Sequence, residues 1–267
     1  MKALPFLLPS LMGVSCFILI PFVDVVRRSF SAAVQNEFVG LDNYRRVFEN
    51  EAFRLAVGNT IRFVAVCLPL LILSGLLLAL LLSGLDQAAF LKSIFLFPMA
   101  MPAATIVVVW KLTFDRNGFL NMLVKTDLDY MGCDLSFGVL VFSYVWKNLG
   151  YTVVLWLAGI LNVPKELIEA ARTDGAGRFR IFCSIQFPHL RGVLYTITVL
   201  SFLNSFKAFR EAYLVAGAYP QESMYLLQHL FNNWFARLEL DKMAAGAVCI
   251  GLLLLAVILL LQWLWKE

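Results

Sequence analysis

Apolar residues fall in six long runs, separated by polar stretches of unequal length. A helix that crosses a bilayer needs about 20 mostly apolar residues. Runs of about that length occupy residues 3–25, 63–82, 93–112, 137–161, 192–210 and 243–265. The pattern predicts an all-α polytopic membrane protein with six transmembrane helices, read as a single domain over residues 1–267. The first run is too long for a secretory leader and lacks a small-residue cleavage site, so it reads as a retained helix.

The polar stretches divide by character. Residues 27–62 carry Leu41, Tyr44, Val47, Phe48, Leu55 and Val57 near helical spacing, the pattern of one or two amphipathic surface helices. Their simplest role is to cover the bundle as an outer loop. Gly84-Leu85-Asp86-Gln87 reads as a short turn. The third run opens with Phe97-Pro98-Met99-Ala100-Met101-Pro102, so its first turns should be kinked or distorted. Residues 113–136 hold four aspartates and a turn signal at Asn117-Gly118, and 217–242 form a second outer segment. No internal repeat or low-complexity tract occurs, and nothing in the pattern attaches a soluble domain to either end.

Composition agrees with lipid as the solvent. Of 267 residues, 61% are hydrophobic and 15% charged, against about a quarter charged in a soluble domain. A net charge of +4, with no basic stripe interleaved with aromatics, gives no reason to expect nucleic acid. Cys16, Cys67, Cys133, Cys183 and Cys249 are too dispersed for a disulfide framework or metal cluster and read as packing residues. Two distant histidines, His189 and His229, offer no metal or nucleophile site.

Polar groups inside spans are costly and tend to face the bundle interior or a watery path. The fourth run has Tyr144, Lys147, Asn148 and Tyr151; the fifth has Ser201, Asn204, Ser205 and Lys207, with Arg210 and Glu211 at its end. Tyr144, Asn148 and Tyr151 share one helical face, as do Ser201, Asn204 and Ser205. Two roles fit Tyr144, Asn148, Tyr151, Ser201 and Asn204: hydroxyls, amides and rings along a path for a sugar, or hydrogen bonds that join helix to helix. Lys207 and Glu211, four apart, read as an ion pair of structural or gating value.

The stretch from 162 to 191 is the most distinctive. Pro164 and Lys165-Glu166-Leu167-Ile168-Glu169-Ala170-Ala171 start a helix well, with Asn162 in place to cap it. Gly175 and Gly177 break it, and a second short helix over 178–186 leads to Pro188. Two short helices joined at glycines would lie flat and present a low knob to a groove on a partner. Counting Lys and Arg does not orient the chain, because residues 27–62 are as basic as this stretch.

Glu169-Ala170-Ala171, Asp174-Gly175-Ala176 and Gly177, with Phe182, Ile185 and Phe187-Pro188, resemble the "EAA" loop of bacterial ABC importer permeases. Further resemblance runs through Val39-Gly40-Leu41-Asp42-Asn43-Tyr44, Gly58-Asn59-Thr60, Phe97-Pro98, Trp110, Gly118, Leu120-Asn121, Trp146-Lys147 with Gly150, and Leu161-Asn162-Val163-Pro164. It is similar to the carbohydrate branch related to the maltose and glycerol-phosphate permeases. Ala216-Gly217-Ala218-Tyr219-Pro220 departs from the Gly-Gly-Pro often found there.

The resemblance implies a permease subunit that docks a cytoplasmic ATPase on Glu169–Gly177. It implies a second homologous permease, two ATPase copies, an extracytoplasmic solute-binding protein, and an inner membrane location with both termini cytoplasmic. The chain has no Gly-x-x-x-x-Gly-Lys-Ser/Thr motif, so ATP and Mg²⁺ would be used by the ATPase, with no cofactor bound here. Non-enzymatic transport by alternating access is the expected activity. The rival is a stand-alone secondary carrier or channel, which would need intramembrane acids for ion coupling that runs 63–82 and 243–265 lack.

Overall fold

A computed structural model describes residues 4–33, 37–84 and 88–265. The turn expected over 84–87 lies largely outside the described residues. These are helical almost throughout, and the only β pairing among them is the isolated bridge Ser31–Phe38. Among the described residues five helices are long and apolar enough to cross a membrane, or six if one sharply bent pair counts as a span. The chain divides into two compact units: Met1–Val57 with Leu227–Leu259, and Gly58–Leu226 with Leu260–Glu267.

In the first unit, α1 (Leu7–Ser29) extends four residues past the expected end and takes in Asp24, Arg27 and Arg28. It tolerates these charges because Asp24 accepts from both arginines, at 3.0 and 2.6 Å. The turn Ser15–Leu19 is π-helical and lies just before Pro21. Proline lacks an N–H and crowds the carbonyl four residues back, and a wider turn relieves both. Helix α2 (Asp42–Glu49) is the amphipathic element expected after it. Its Asn43 is fully buried and donates through Nδ2 to the carbonyls of Ser29 and Ser31 at 3.1 and 2.9 Å. That side chain pins the loop beneath the helix. Val47 is buried as its spacing suggested, whereas Leu41 and Phe48 are exposed.

The second amphipathic element does not exist separately. It forms the first turns of α3 (Glu51–Leu82), which begins twelve residues before the expected start of the second span. In the first unit α11 (Leu227–Ala236) packs its Trp234 on Phe53, rings stacked at 6.3 Å and 12°. Burial pushes the imidazole of His229 down to about 4, so it is neutral at physiological pH. The last span is α12 (Leu240–Leu264).

The second unit is built on α7 (Ser136–Leu161). The distortion expected at the opening of the third run is a break. Helices α4 (Ala88–Ala100) and α5 (Ala103–Phe114) meet at 99° across Met101-Pro102. Pro102 cannot donate to a preceding turn, takes an extended ψ of 143°, and starts a new helix in a new direction. Asn117-Gly118 forms its turn, with Gly118 N–H donating to the Asp115 carbonyl at 2.7 Å, and leads to α6 (Phe119–Val124).

Helix α4 lies so close to α7 that a Cβ on Gly150 would sit 2.0 Å from the Phe95 carbonyl oxygen. Trp156, fully buried on the same helix, donates its indole N–H to the Ile72 carbonyl of α3 at 3.1 Å. Around it Ala79, Leu157, Ile160, Leu190 and Ile197 form one core, and Phe63, Leu71, Leu140 and Tyr144 another.

Two short helices follow. α8 (Lys165–Thr173) starts after Pro164, and no side chain caps it. Asn162 instead closes α7, its N–H reaching back to Ala158 and Gly159, because its αR backbone completes the preceding helix. α9 (Arg178–Ile181) continues through a π-turn at Phe182–Gln186, again just before a proline, Pro188. α10 (Arg191–Ala216), over the fifth expected run, starts one residue earlier and ends six residues later than expected, and tightens to a 3₁₀ turn at Phe206–Ala208.

Cys16 and Cys183 are exposed rather than packed, and Cys67 is buried. Large apolar side chains such as Phe17, Leu73, Val108 and Leu252 are more than half exposed on the spanning helices. Lipid is the solvent that such surfaces require.

Gly150→Ala should lower stability by about 3 kcal/mol, the upper range for overpacking, because the obstruction is backbone. Thermal unfolding in detergent micelles measures it; an unchanged midpoint would show that α4 can move away freely.

Candidate functional site

Four elements of the second unit meet at a cavity of ≈ 190 Å³. Met99 comes from α4, Ile106 and Trp110 from α5, Leu140, Ser143, Tyr144, Lys147 and Asn148 from α7, and Asn204, Lys207, Ala208 and Glu211 from α10. The break at Pro102 is what brings α5 here. It swings α5 so that Trp110 can wall the cavity, held edge-on to Trp146 at 5.2 Å and Phe142 at 5.6 Å.

Lys147 and Glu211 form an ion pair across α7 and α10, with side chains 24% and 11% exposed. This replaces the expected Lys207–Glu211 pair. The 3₁₀ turn at Phe206–Ala208 disturbs the four-residue spacing, and Lys207 instead donates to Asn204 Oδ1 at 3.0 Å. Two opposite charges in adjacent runs were the available signal for the real pair; matching them needed the helix facing, which spacing within one run does not supply.

The five residues expected to share a path divide into two sets. Tyr144, Asn148 and Asn204 line the cavity. Tyr151 and Ser201 do not; their hydroxyls bond each other at 2.7 Å between α7 and α10. Tyr144 does both, donating its hydroxyl to the Ser201 carbonyl at 2.6 Å while lining the cavity. Asn148, which also lines the cavity, donates one amide hydrogen to the Tyr144 carbonyl at 2.8 Å. The site thus offers two amides, two hydroxyls, two cations, one carboxylate and an indole wall, an inventory suited to a polyol. Among the described residues no cluster of His, Cys, Asp or Glu could hold a metal.

The 162–191 segment is remote in kind. No residue of α8 is buried, and Glu169, Ala170, Asp174, Gly175 and Gly177 are exposed, with Ala171 and Ala176 partly so. Gly175 has φ +77°, the left-handed value that closes a helix and favours glycine. Ala176 N–H donates to the Ala171 carbonyl at 2.9 Å and completes the turn. Leu167 and Phe179 are exposed beside it. Beneath, Val163, Ile181 and Leu190 are buried and anchor the segment.

A broken-span helical bundle with an internal polar cavity and an exposed two-helix projection defines a class of membrane transport subunit. The family described as "Binding-protein-dependent transport system inner membrane component" matches residues 72–266. The diacetylchitobiose uptake system permease protein NgcF of Streptomyces coelicolor is 31% identical over 91% of this chain and 75% of its own length. The trehalose/maltose transport system permease protein MalF of Thermococcus litoralis is 30% identical over 86% of this chain and 81% of its own. A bacterial ABC transporter involved in the import of the acidic polysaccharide alginate has the same fold, with TM-score 0.86 and 17% identity, over 98% of this chain and 94% of that one. The chain therefore belongs to the family of binding-protein-dependent ABC importer permeases, and is a transmembrane permease subunit.

Lys147→Met and Glu211→Gln should each destabilise the chain, because each leaves a half-buried charge unpaired. The double variant should recover about 2 kcal/mol of the summed loss. A thermal-unfolding double-mutant cycle measures this; additive losses would mean that the pair is not coupled.

Proposed function

We propose that this chain is one permease half of an ATP-driven importer that moves a sugar or related polar solute through the cytoplasmic membrane. In this reading it has six spans, the broken α4–α5 pair being the third. Residues 162–191 face the cytoplasm, as do both termini. The single observation that carries the reading is the α8–α9 projection: largely exposed above, anchored below, and closed at a glycine turn. Glu169, Ala170, Ala171, Asp174, Gly175, Ala176 and Gly177 form the surface that enters a groove on a cytoplasmic ATPase. Small side chains there let the partner approach the backbone closely, and Leu167 and Phe179 add apolar contact.

A second homologous permease completes the pathway, two ATPase copies supply force, and an extracytoplasmic binding protein delivers solute. The chain itself makes no covalent chemistry and binds no cofactor; ATP and Mg²⁺ belong to the ATPase. Closure of the ATPases moves the projection, and α7 with α10 alternates between inward and outward access. Tyr144, Asn148 and Asn204 contact solute in the cavity, whereas Tyr151 and Ser201 hold α7 to α10. The saccharide relatives support the solute class, as does the pairing of amides with the Trp110 wall.

Glu169→Lys and Asp174→Lys, both at exposed positions, should abolish co-purification with the cognate ATPase while leaving membrane insertion and the unfolding midpoint unchanged. Undiminished association and undiminished transport-coupled hydrolysis would remove the docking assignment. Separately, Asn148→Ala with Asn204→Ala should cut solute uptake about tenfold, the loss expected from two hydrogen bonds, with ATPase association intact. Wild-type uptake in that double variant would rule out solute contact by these amides.

A further inference from the structure

A second cavity lies at the other end of α10 from the solute cavity and takes no part in the transport reading. Its volume is ≈ 890 Å³, and it opens where Arg191 begins α10 and Gln262, Leu264 and Trp265 close the chain's last helix. Its walls have the character of a membrane interface. Tyr195 and Trp265 face each other at 6.0 Å, and both rings are amphipathic. Leu194 and Leu264 supply apolar surface, and neighbouring Trp263 is 69% exposed.

The charge in this cavity is Arg191. It is exposed, and it takes part in none of the ion pairs among the described residues. An arginine at the end of a spanning helix reaches the level of the headgroups, and its planar fork matches two phosphate oxygens. Gln262 and Tyr195 add an amide and a hydroxyl for a headgroup that carries hydroxyls. Basic pockets between helix ends at this depth suit anionic lipid.

We propose that this cavity binds the headgroup of an anionic phospholipid, its phosphodiester on Arg191, its polar group towards Gln262 and its acyl chains along Leu194 and Leu264. Charge complementarity selects this occupant. A zwitterionic headgroup carries its own cation to the same cationic wall. A free phosphate makes no use of the apolar flank and the aromatic pair. The site goes beyond the transport reading: it does not depend on which solute passes or on which protein docks at Glu169.

Native mass spectrometry of the full chain, from micelles with equal phosphatidylglycerol and phosphatidylcholine, tests it. Wild type should retain phosphatidylglycerol about fivefold over phosphatidylcholine, the size of one basic residue's attraction at an anionic surface. Arg191→Gln should bring the ratio to one, and Arg191→Lys should keep part of it. Trp265→Leu, which leaves the charge, should lower total lipid retention. Unfolding midpoints in phosphatidylcholine alone should match across the variants. Equal retention of both lipids by wild type, or an undiminished preference in Arg191→Gln, would overturn the proposal. So would displacement of lipid by millimolar inorganic phosphate, which would make this a free-phosphate site.

Discussion

The contact on which the second unit depends is a missing side chain. At Gly150 the backbone of α4 comes against α7 more closely than any Cβ would permit. In lipid the hydrophobic effect does not drive helices together, so close packing at small residues has to do so. This contact seats α4. The break at Pro102 then redirects the chain by 99°, and α5 arrives with Ile106 and Trp110 turned to the cavity. A side chain at 150 would therefore act on the cavity wall through two helices, although it touches no part of the cavity.

The cavity in turn depends on charge placed where charge is expensive. Lys147 and Glu211 are each mostly withdrawn from solvent, and either alone would oppose folding. Together they tie α7 to α10 at the cavity, while Tyr144 and Tyr151 tie the same helices through Ser201. These ties are of different kinds. The hydroxyl bonds lie deep between the helices and hold them at one spacing. The ion pair borders the cavity, and is thus the tie between α7 and α10 that is most open to it.

How much of this was readable in the chain follows from what each feature requires. The spanning helices were legible because hydropathy over twenty residues is a local, summed property; even so, α3 began early, since Glu51–Arg62 continues a helix that polarity alone seemed to end. The break after Ala100 was legible as a distortion, but its angle was not, because that angle is set by what α4 and α5 pack against. Tyr144, Asn148 and Asn204 were found by helical spacing. Tyr151 and Ser201 were assigned the same two possible roles, and only their mutual bond separates them from the cavity. Lys207–Glu211 misled because four-residue spacing holds for an α-helix and fails across a 3₁₀ turn. Asn162 misled similarly: a cap residue between two helices can serve either, and here the longer helix takes it.

For the proposed docking role, the useful property of the 162–191 segment is its asymmetry. A flexible loop would absorb displacement at its own hinges. This one is exposed on its outer side yet anchored at Val163, Ile181 and Leu190. Leu190 belongs to the same core as Trp156, Leu157 and Ile160 of α7 and Ile197 of α10. A displacement applied at Glu169 or Gly175 therefore reaches a packed interior that transmits strain because it has few voids to absorb it. α7 and α10 are also the two helices that hold Lys147, Asn148, Asn204 and Glu211. The path from a partner's push to the cavity needs no special relay: it is the shared core of two helices that begin or end at the projection.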